Sequence, residues 1–142
     1  MRTAPRINGV GQTLGEIMRA PVTAEPAEPI RVAAARMKDA GAGAAAVLDG
    51  GRLVGILTER DLLRAIVDGL DPLASRVTQV MTAEPVTIEP GVSISEAASL
   101  MVKLAVRHLP VVDDGHLDGM VSARDIVTSG ARYAASLAYE PW

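Results

Sequence analysis

Two short stretches carry residue types at a spacing that could do chemistry. Thr58-Glu59-Arg60-Asp61 follows the apolar run Gly55-Ile56-Leu57, and Ser122-Ala123-Arg124-Asp125 follows Gly119-Met120-Val121. Each reads as the end of a strand, a hydroxyl residue, and the start of a helix. A hydroxyl at that place accepts from the unpaired amides of the first helical turn. With Asp three positions on, the pattern is that of a capping box. The same turn gathers amide donors, the positive end of a helix dipole and an Arg, which together make a seat for a phosphate. Capping, worth about 1 kcal/mol at each helix, explains the Asp. It does not require an Arg beside it in both copies.

The elements that position these stretches also occur twice. Thr13 precedes a helical turn over Leu14-Gly15-Glu16-Ile17-Met18, and Pro21-Val22-Thr23 is a short extended piece. Ile30, Ala33, Ala34, Met37 and Ala40 recur at helical spacing, and Gly41 and Gly43 stop that helix. Ala44 to Leu48 and Leu53 to Leu57 are apolar runs joined by Asp49-Gly50-Gly51, a hairpin pattern. Thr58 then opens a helix with an expected apolar face of Leu62, Leu63 and Ile66, closed by Gly69. After the connector Asp71 to Arg76, the order starts again. Val80-Met81 matches Ile17-Met18, and Pro85-Val86-Thr87 matches Pro21-Val22-Thr23. Ile94, Ala97, Ala98 and Met101 match Ile30, Ala33, Ala34 and Met37. The offset is 64 from Pro21 through Asp61 and 63 at Met18. This regularity marks an internal duplication of about 60 residues.

One such unit would leave an apolar sheet face uncovered. The expected fold is therefore α+β: two pseudo-symmetric β-α-β-β-α repeats packed sheet face to sheet face, helices outside. The expected organisation is a flexible arm over 1–12, repeat 1 over 13–70, a linker over 71–76, repeat 2 over 77–132 and a tail over 133–142. That tail holds Tyr133, Tyr139 and Trp142, all the aromatic residues of the chain, and reads as a dimer contact.

Composition narrows the function classes. Apolar residues make up 49% of the 142, with two Tyr, one Trp and no Phe, so Ala, Val, Leu, Ile and Met must fill the core. A net charge of −3 with no Lys/Arg block argues against a nucleic-acid-binding face. Without Cys there is no disulfide or thiolate chemistry. The first residues lack the apolar core of a signal peptide and no run reaches membrane-spanning length, so a soluble cytoplasmic protein is expected. His108 and His116 are the only histidines and have no third ligand at suitable spacing for a metal. No Gly-x-Ser-x-Gly elbow occurs, and no acid–base constellation supports an enzyme.

The duplicated residues resemble a tandem CBS-domain pair, or Bateman module. The resemblance rests on Ile17-Met18 and Val80-Met81-Thr82 before each Pro-Val-Thr, on Leu109-Pro110-Val111-Val112-Asp113, and on the Gly55–Asp61 and Gly119–Asp125 stretches. It covers about residues 13–130 and looks like a stand-alone pair of bacterial type. It implies a regulatory module that binds AMP, ADP, ATP or a related adenosine ligand between the two repeats, with no required cofactor. In such a site Asp61 and Asp125 would accept from the ribose hydroxyls. Thr58, Ser122, Arg60, Arg124 and Arg107 would face phosphate, with His108 beside them. Val22, Val86 and Pro110 would lie against the base. The resemblance also implies a homodimer through helical faces and an unidentified protein partner. Repeat 1 departs from the pattern: Gly43-Ala44-Ala45-Ala46 stands where repeat 2 has Arg107-His108-Leu109-Pro110. One well-equipped site and one poor site are expected. The rival reading is a ligand-free dimeric scaffold in which both Asp residues only cap helices.

Overall fold

In the computed structural model, the backbone is described for residues 12–138 and the side chains for residues 12–130. The expected N-terminal arm up to residue 11, and the aromatic side chains of the tail, lie outside the described residues. The elements run α1 (Leu14–Ile17), β1 (Thr23–Ala24), α2 (Ile30–Ala40), β2 (Ala44–Asp49), β3 (Arg52–Thr58), α3 (Glu59–Val67), α4 (Val77–Val80), β4 (Thr82–Ala83), α5 (Ile94–Leu104), β5 (His108–Asp113), β6 (His116–Ser122) and α6 (Ala123–Ala138). The class is mixed α+β, with two sheets. No described helix is long and apolar enough to cross a membrane.

The chain divides into two compact units, and each mixes residues of both repeats. One spans Ala20–Val86; the other joins the described residues up to Arg19 with those from Thr87 onward. In the Ala20–Val86 unit the sheet order is β1-β2-β3-β4, with β1 parallel to β2 and the rest antiparallel. β4 belongs to the second repeat by sequence, yet it completes the edge beside β3. The other unit has the same plan in reduced form. The β5–β6 hairpin is flanked by a parallel bridge from Ile88 to Val111 and an antiparallel bridge from Arg19 to Met120. The second Pro-Val-Thr piece is thus followed by a single bridge at Ile88, where the first leads into a strand. The edge pairing of β4 and of Arg19 was not legible in the apolar pattern, because two-residue pieces carry no periodicity.

Local chemistry sets the hairpins. Both have two-residue loops, Gly50-Gly51 and Asp114-Gly115, with φ of 57° and 83° in the first and 49° and 78° in the second. Paired positive φ values are what a twisted hairpin needs. Both hairpins carry a register shift at matching places, Val47/Leu48 and Val111/Val112.

Each unit has one apolar core. The first joins Ala24, Ala33, Met37, Ala45, Val47, Leu57 and Val77. The second joins Ile88, Ala97, Met101, Leu109, Val111, Val121 and Leu14. Member by member these are the same positions, displaced by the repeat offset. α3 corrects one expectation. Its buried residues are Asp61 and Ala65, with Leu62 packed on the core, while Leu63 and Ile66 face solvent. The capping Asp, not an apolar residue, fixes which way the helix turns.

Helices α2 and α5 end alike, with a left-handed residue whose successor donates back to the last turn. Ala42 N donates to Met37 O at 2.9 Å, and Val106 N donates to Met101 O at 3.0 Å. The left-handed residue is Gly41 in the first case and Ala105, at φ 54°, in the second. A Cβ is penalised in that conformation. Ala105→Gly is therefore expected to stabilise the chain by about 1 kcal/mol, less the entropy that glycine adds to the unfolded state. Urea unfolding would check it, and a loss of stability would refute it.

Candidate functional site

The strand-to-helix turns form as capping boxes, and they differ in how they use their carboxylates. At α3, Thr58 N donates to Asp61 Oδ2 at 2.9 Å and Thr58 Oγ1 donates to the same oxygen at 3.0 Å. Asp61 N donates back to Thr58 Oγ1 at 3.3 Å. The other oxygen, Oδ1, has Arg64 Nη1 at 3.7 Å, one turn along the same helix. A pair of that kind with an exposed Arg is weak. All of the bonds recorded for Asp61 are thus local.

At α6, Ser122 N donates to Asp125 Oδ2 at 2.9 Å, and Asp125 N donates to Ser122 Oγ at 3.1 Å. Here the second oxygen is taken from far along the chain. Arg19 Nε donates to Asp125 Oδ1 at 2.8 Å. The Asp125 side chain is 6% exposed and that of Arg19 72% exposed. A buried carboxylate requires such partners. Arg19 is held there by its backbone: Arg19 N donates to Met120 O and Met120 N donates to Arg19 O, each at 3.0 Å. Its segment lies flat on β6 because Gly119 has no Cβ; one placed there would come within 2.9 Å of the Arg19 carbonyl oxygen. α1 is pinned in turn by Leu14 N to Val92 O at 3.0 Å and Gly15 N to Pro90 O at 2.9 Å.

Beside this ion pair lies a pocket of about 260 Å³. Gln12, Glu16, Ile17 and Arg19 line it from the start of the described chain, and Asp125, Thr128 and Ser129 from α6. Ser129 Oγ donates to Gln12 Oε1 and ties the two walls together. The volume is near the lower end of small-molecule pockets, and its lining is mainly polar. It suits a sugar or an anionic group better than an apolar ring.

The other anticipated residues are distributed as follows. Arg107 and Arg124 are exposed at the start of α6, and the Arg107 carbonyl accepts from Ala123 N at 2.8 Å. His108 is half-buried and pairs with Ser122 across the hairpin. Pro110 is fully buried, and its carbonyl accepts from Ile88 N at 3.0 Å. Arg60 is exposed on α3. Val22 is half-buried against the Ala20–Val86 core, and Val86 is exposed at the end of that unit. The structure thus gathers Arg107, His108, Ser122, Arg124 and Asp125 about one helix start, and Thr58, Arg60 and Asp61 about the other.

Two features differ from the simple picture of an open phosphate seat. At each helix start, two of the first three amides already donate within the protein: Glu59 N to Gly43 O and Asp61 N to Thr58 Oγ1 in α3, Ala123 N to Arg107 O and Asp125 N to Ser122 Oγ in α6. And sequence reasoning passed over Arg19, Gln12, Glu16, Thr128 and Ser129. For Arg19 there was a signal. In the duplicated order it stands where the second repeat has Thr82, a charge where its copy is neutral. Among the described residues no group of three or more His, Asp or Glu side chains is placed to hold a metal.

Comparison with known proteins bears on what such an arrangement is. The chain is 37% identical over 108 residues to the CBS domain-containing protein YhcV of Bacillus subtilis, covering 75% of this chain and 76% of that protein. A CBS domain protein from Pyrobaculum aerophilum, solved in complex with AMP, shares 28% identity and a TM-score of 0.75 over 84% of this chain and 98% of that one. The CBS domain pair of protein MJ0100, solved with 5′-methylthioadenosine and S-adenosyl-L-methionine, shares 26% identity and a TM-score of 0.77 over 83% of this chain and 98% of that one. The CBS domain family model matches residues 14–68 and again 77–131. With the duplicated capping boxes and the paired cores, these matches establish that the chain belongs to the CBS domain family and carries the domain twice.

Proposed function

We propose that this CBS pair is a regulatory module that takes an adenosine ligand, such as AMP, ADP or ATP, at the Asp125 turn. One observation carries the reading. Asp125 is a buried carboxylate on the wall of a pocket, and among the described residues one of its oxygens is held by a single exposed side chain, Arg19. That oxygen suits a pair of vicinal hydroxyls, with charge-assisted hydrogen bonds replacing the one to Arg19. Arg107 and Arg124 at the helix start suit the phosphate. Further support is the likeness to relatives solved with AMP and with methylthioadenosine and S-adenosyl-L-methionine. The output is a shift in packing read by a partner protein, limited by the ligand's differential affinity for the two states. Turnover is not part of this reading.

The test is calorimetric titration of the full chain with AMP, ATP, 5′-methylthioadenosine and S-adenosyl-L-methionine, alongside thermal unfolding. Saturable heat and a rise in Tm with at least one nucleotide are expected. No heat and no Tm shift with any of them leaves the scaffold reading in its place.

The module is further proposed to act as a homodimer through helical faces. Leu63, Ile66 and Val67 on α3 are 62%, 69% and 77% exposed. An apolar stripe at that spacing on one helix favours burial against a second surface. Light scattering of the wild-type chain is expected to give a dimer. Ile66→Glu is expected to weaken it by roughly 30-fold or more, as for a truncated hot spot with a buried charge added. A monomeric wild-type chain, or a dimer indifferent to Ile66→Glu, removes the proposal.

A further inference from the structure

We propose that Arg19 is a specificity latch: it occupies the Asp125 carboxylate in the ligand-free chain and makes this site select nucleoside phosphates over uncharged nucleosides. The inference rests on the adenosine-ligand reading above and adds to it the charge that the ligand must carry.

The geometry is one-sided. Arg19 meets Asp125 through Nε alone, at 2.8 Å, while its side chain remains 72% exposed. The backbone of Arg19 is fixed on β6 by two reciprocal hydrogen bonds. The head can therefore pivot without moving the strand edge. Asp125 cannot follow it, because Oδ2 is tied to Ser122 N and the side chain is buried. A ribose diol that takes Oδ1 must displace the guanidinium. An uncharged nucleoside breaks a charge-assisted bond and leaves the cation with only water in exchange. A nucleoside phosphate returns an anion to the same guanidinium, whose outer nitrogens suit a phosphate.

The neighbouring charges set the balance. Glu16 is the other acidic group on the pocket wall. Arg107 and Arg124 stand at the start of α6 on the opposing side of the ledger. With Arg19 on Asp125, the latch neutralises itself; once released, Arg19 tips the surroundings positive. The second capping box lacks this device. The position equivalent to Arg19 is Thr82, and among the described residues the partners of Asp61 are Thr58 and Arg64. At Asp61, Oδ2 takes both donors of its own turn, and the cation near Oδ1 is Arg64 of the same helix at 3.7 Å, beyond hydrogen-bonding distance.

The test is titration of the full chain with AMP and with adenosine, for wild type, Arg19→Ala and Arg19→Gln. Arg19→Gln keeps a donor for Asp125 without the charge and guards against a simple loss of folding. Circular dichroism and Tm check both variants. The wild type is expected to prefer AMP by roughly 30-fold, the scale of one charge-assisted hydrogen bond. In both variants the preference is expected to fall to about 3-fold or less. In Arg19→Ala adenosine is expected to tighten by about 5-fold, because the competing occupant of Asp125 is gone. The wild-type preference is expected to shrink with added salt. An AMP preference that survives in both folded variants overturns the latch and leaves the adenosine reading standing. A wild type that binds adenosine as well as AMP does the same. A wild type that binds neither overturns the latch, while the adenosine reading falls only if ATP, 5′-methylthioadenosine and S-adenosyl-L-methionine also give no heat.

Discussion

Leu109→Ala is expected to cost about 3 kcal/mol of stability, among the largest effects of any single change in the chain. Leu109 is 1% exposed and sits at the centre of the core that also holds Leu14, Ile88, Ala97, Met101, Val111 and Val121. Its duplicate, Ala45, is already alanine and is fully buried. The comparison says why the same residue suits one core and not the other. The Ala20–Val86 core has Leu57 where its counterpart has Val121, so bulk lost at one position is partly returned across the sheet. It also has Ala24 in place of Ile88 and Val77 in place of Leu14, so it is built from smaller side chains. Leu109→Ala removes bulk from a core built around the larger ones and leaves a cavity. The converse, Ala45→Leu, is expected to cost about 1–3 kcal/mol by overpacking. Chemical denaturation of both variants checks the pair. A loss below about 1 kcal/mol for Leu109→Ala would show that α5 or β5 relaxes into the space, and that the core is less tightly packed than its burial indicates.

The same duplication explains what could be read from the chain before its fold. The capping boxes, both hairpin turns, the helices at matched positions and the pairing of core residues all follow from local patterns that occur twice. Periodicity reports which residues face inward within one element. It does not report which element lies at a sheet edge when that edge is two residues long. The pairings of Thr82-Ala83 with β3 and of Arg19 with Met120 were therefore invisible. Leu63 and Ile66 were misread as a buried face for a related reason. The burial of Asp61 turns α3 so that Leu62 and Ala65 point inward, and an apolar count gives no weight to a carboxylate. The site was half legible. Residues beside each helix start could be named from the motif, because capping and anion binding share one geometry. Gln12 could not, since it approaches Ser129 from more than a hundred positions away, and for Arg19, as distant from Asp125, the one signal was a charge where the duplicate has Thr82.

Asp125→Ala is expected to weaken nucleotide binding by at least about 100-fold, whereas Asp61→Ala is expected to leave it within about 3-fold. The first figure is the cost of removing the charged acceptor of a buried, hydrogen-bonded pair of contacts, on the order of 3 kcal/mol. The second follows from the use to which Asp61 is put. Its Oδ2 receives both the amide and the hydroxyl of Thr58, and its Oδ1 faces Arg64 of the same helix. Removing it costs the cap, about 1 kcal/mol of stability, and little else. Asp125→Ala costs a similar cap and also frees Arg19, whose exposed head is readily solvated. Stability alone would therefore rank the two variants close together, and binding would separate them. Calorimetric titration with AMP, paired with thermal unfolding of each variant without ligand, makes both comparisons. Equal losses of binding in the two variants would mean that the capping boxes serve two equivalent sites, and the asymmetry drawn from Arg19 and Thr82 would carry no functional weight. Unchanged binding in Asp125→Ala would place the ligand elsewhere and reduce both carboxylates to caps.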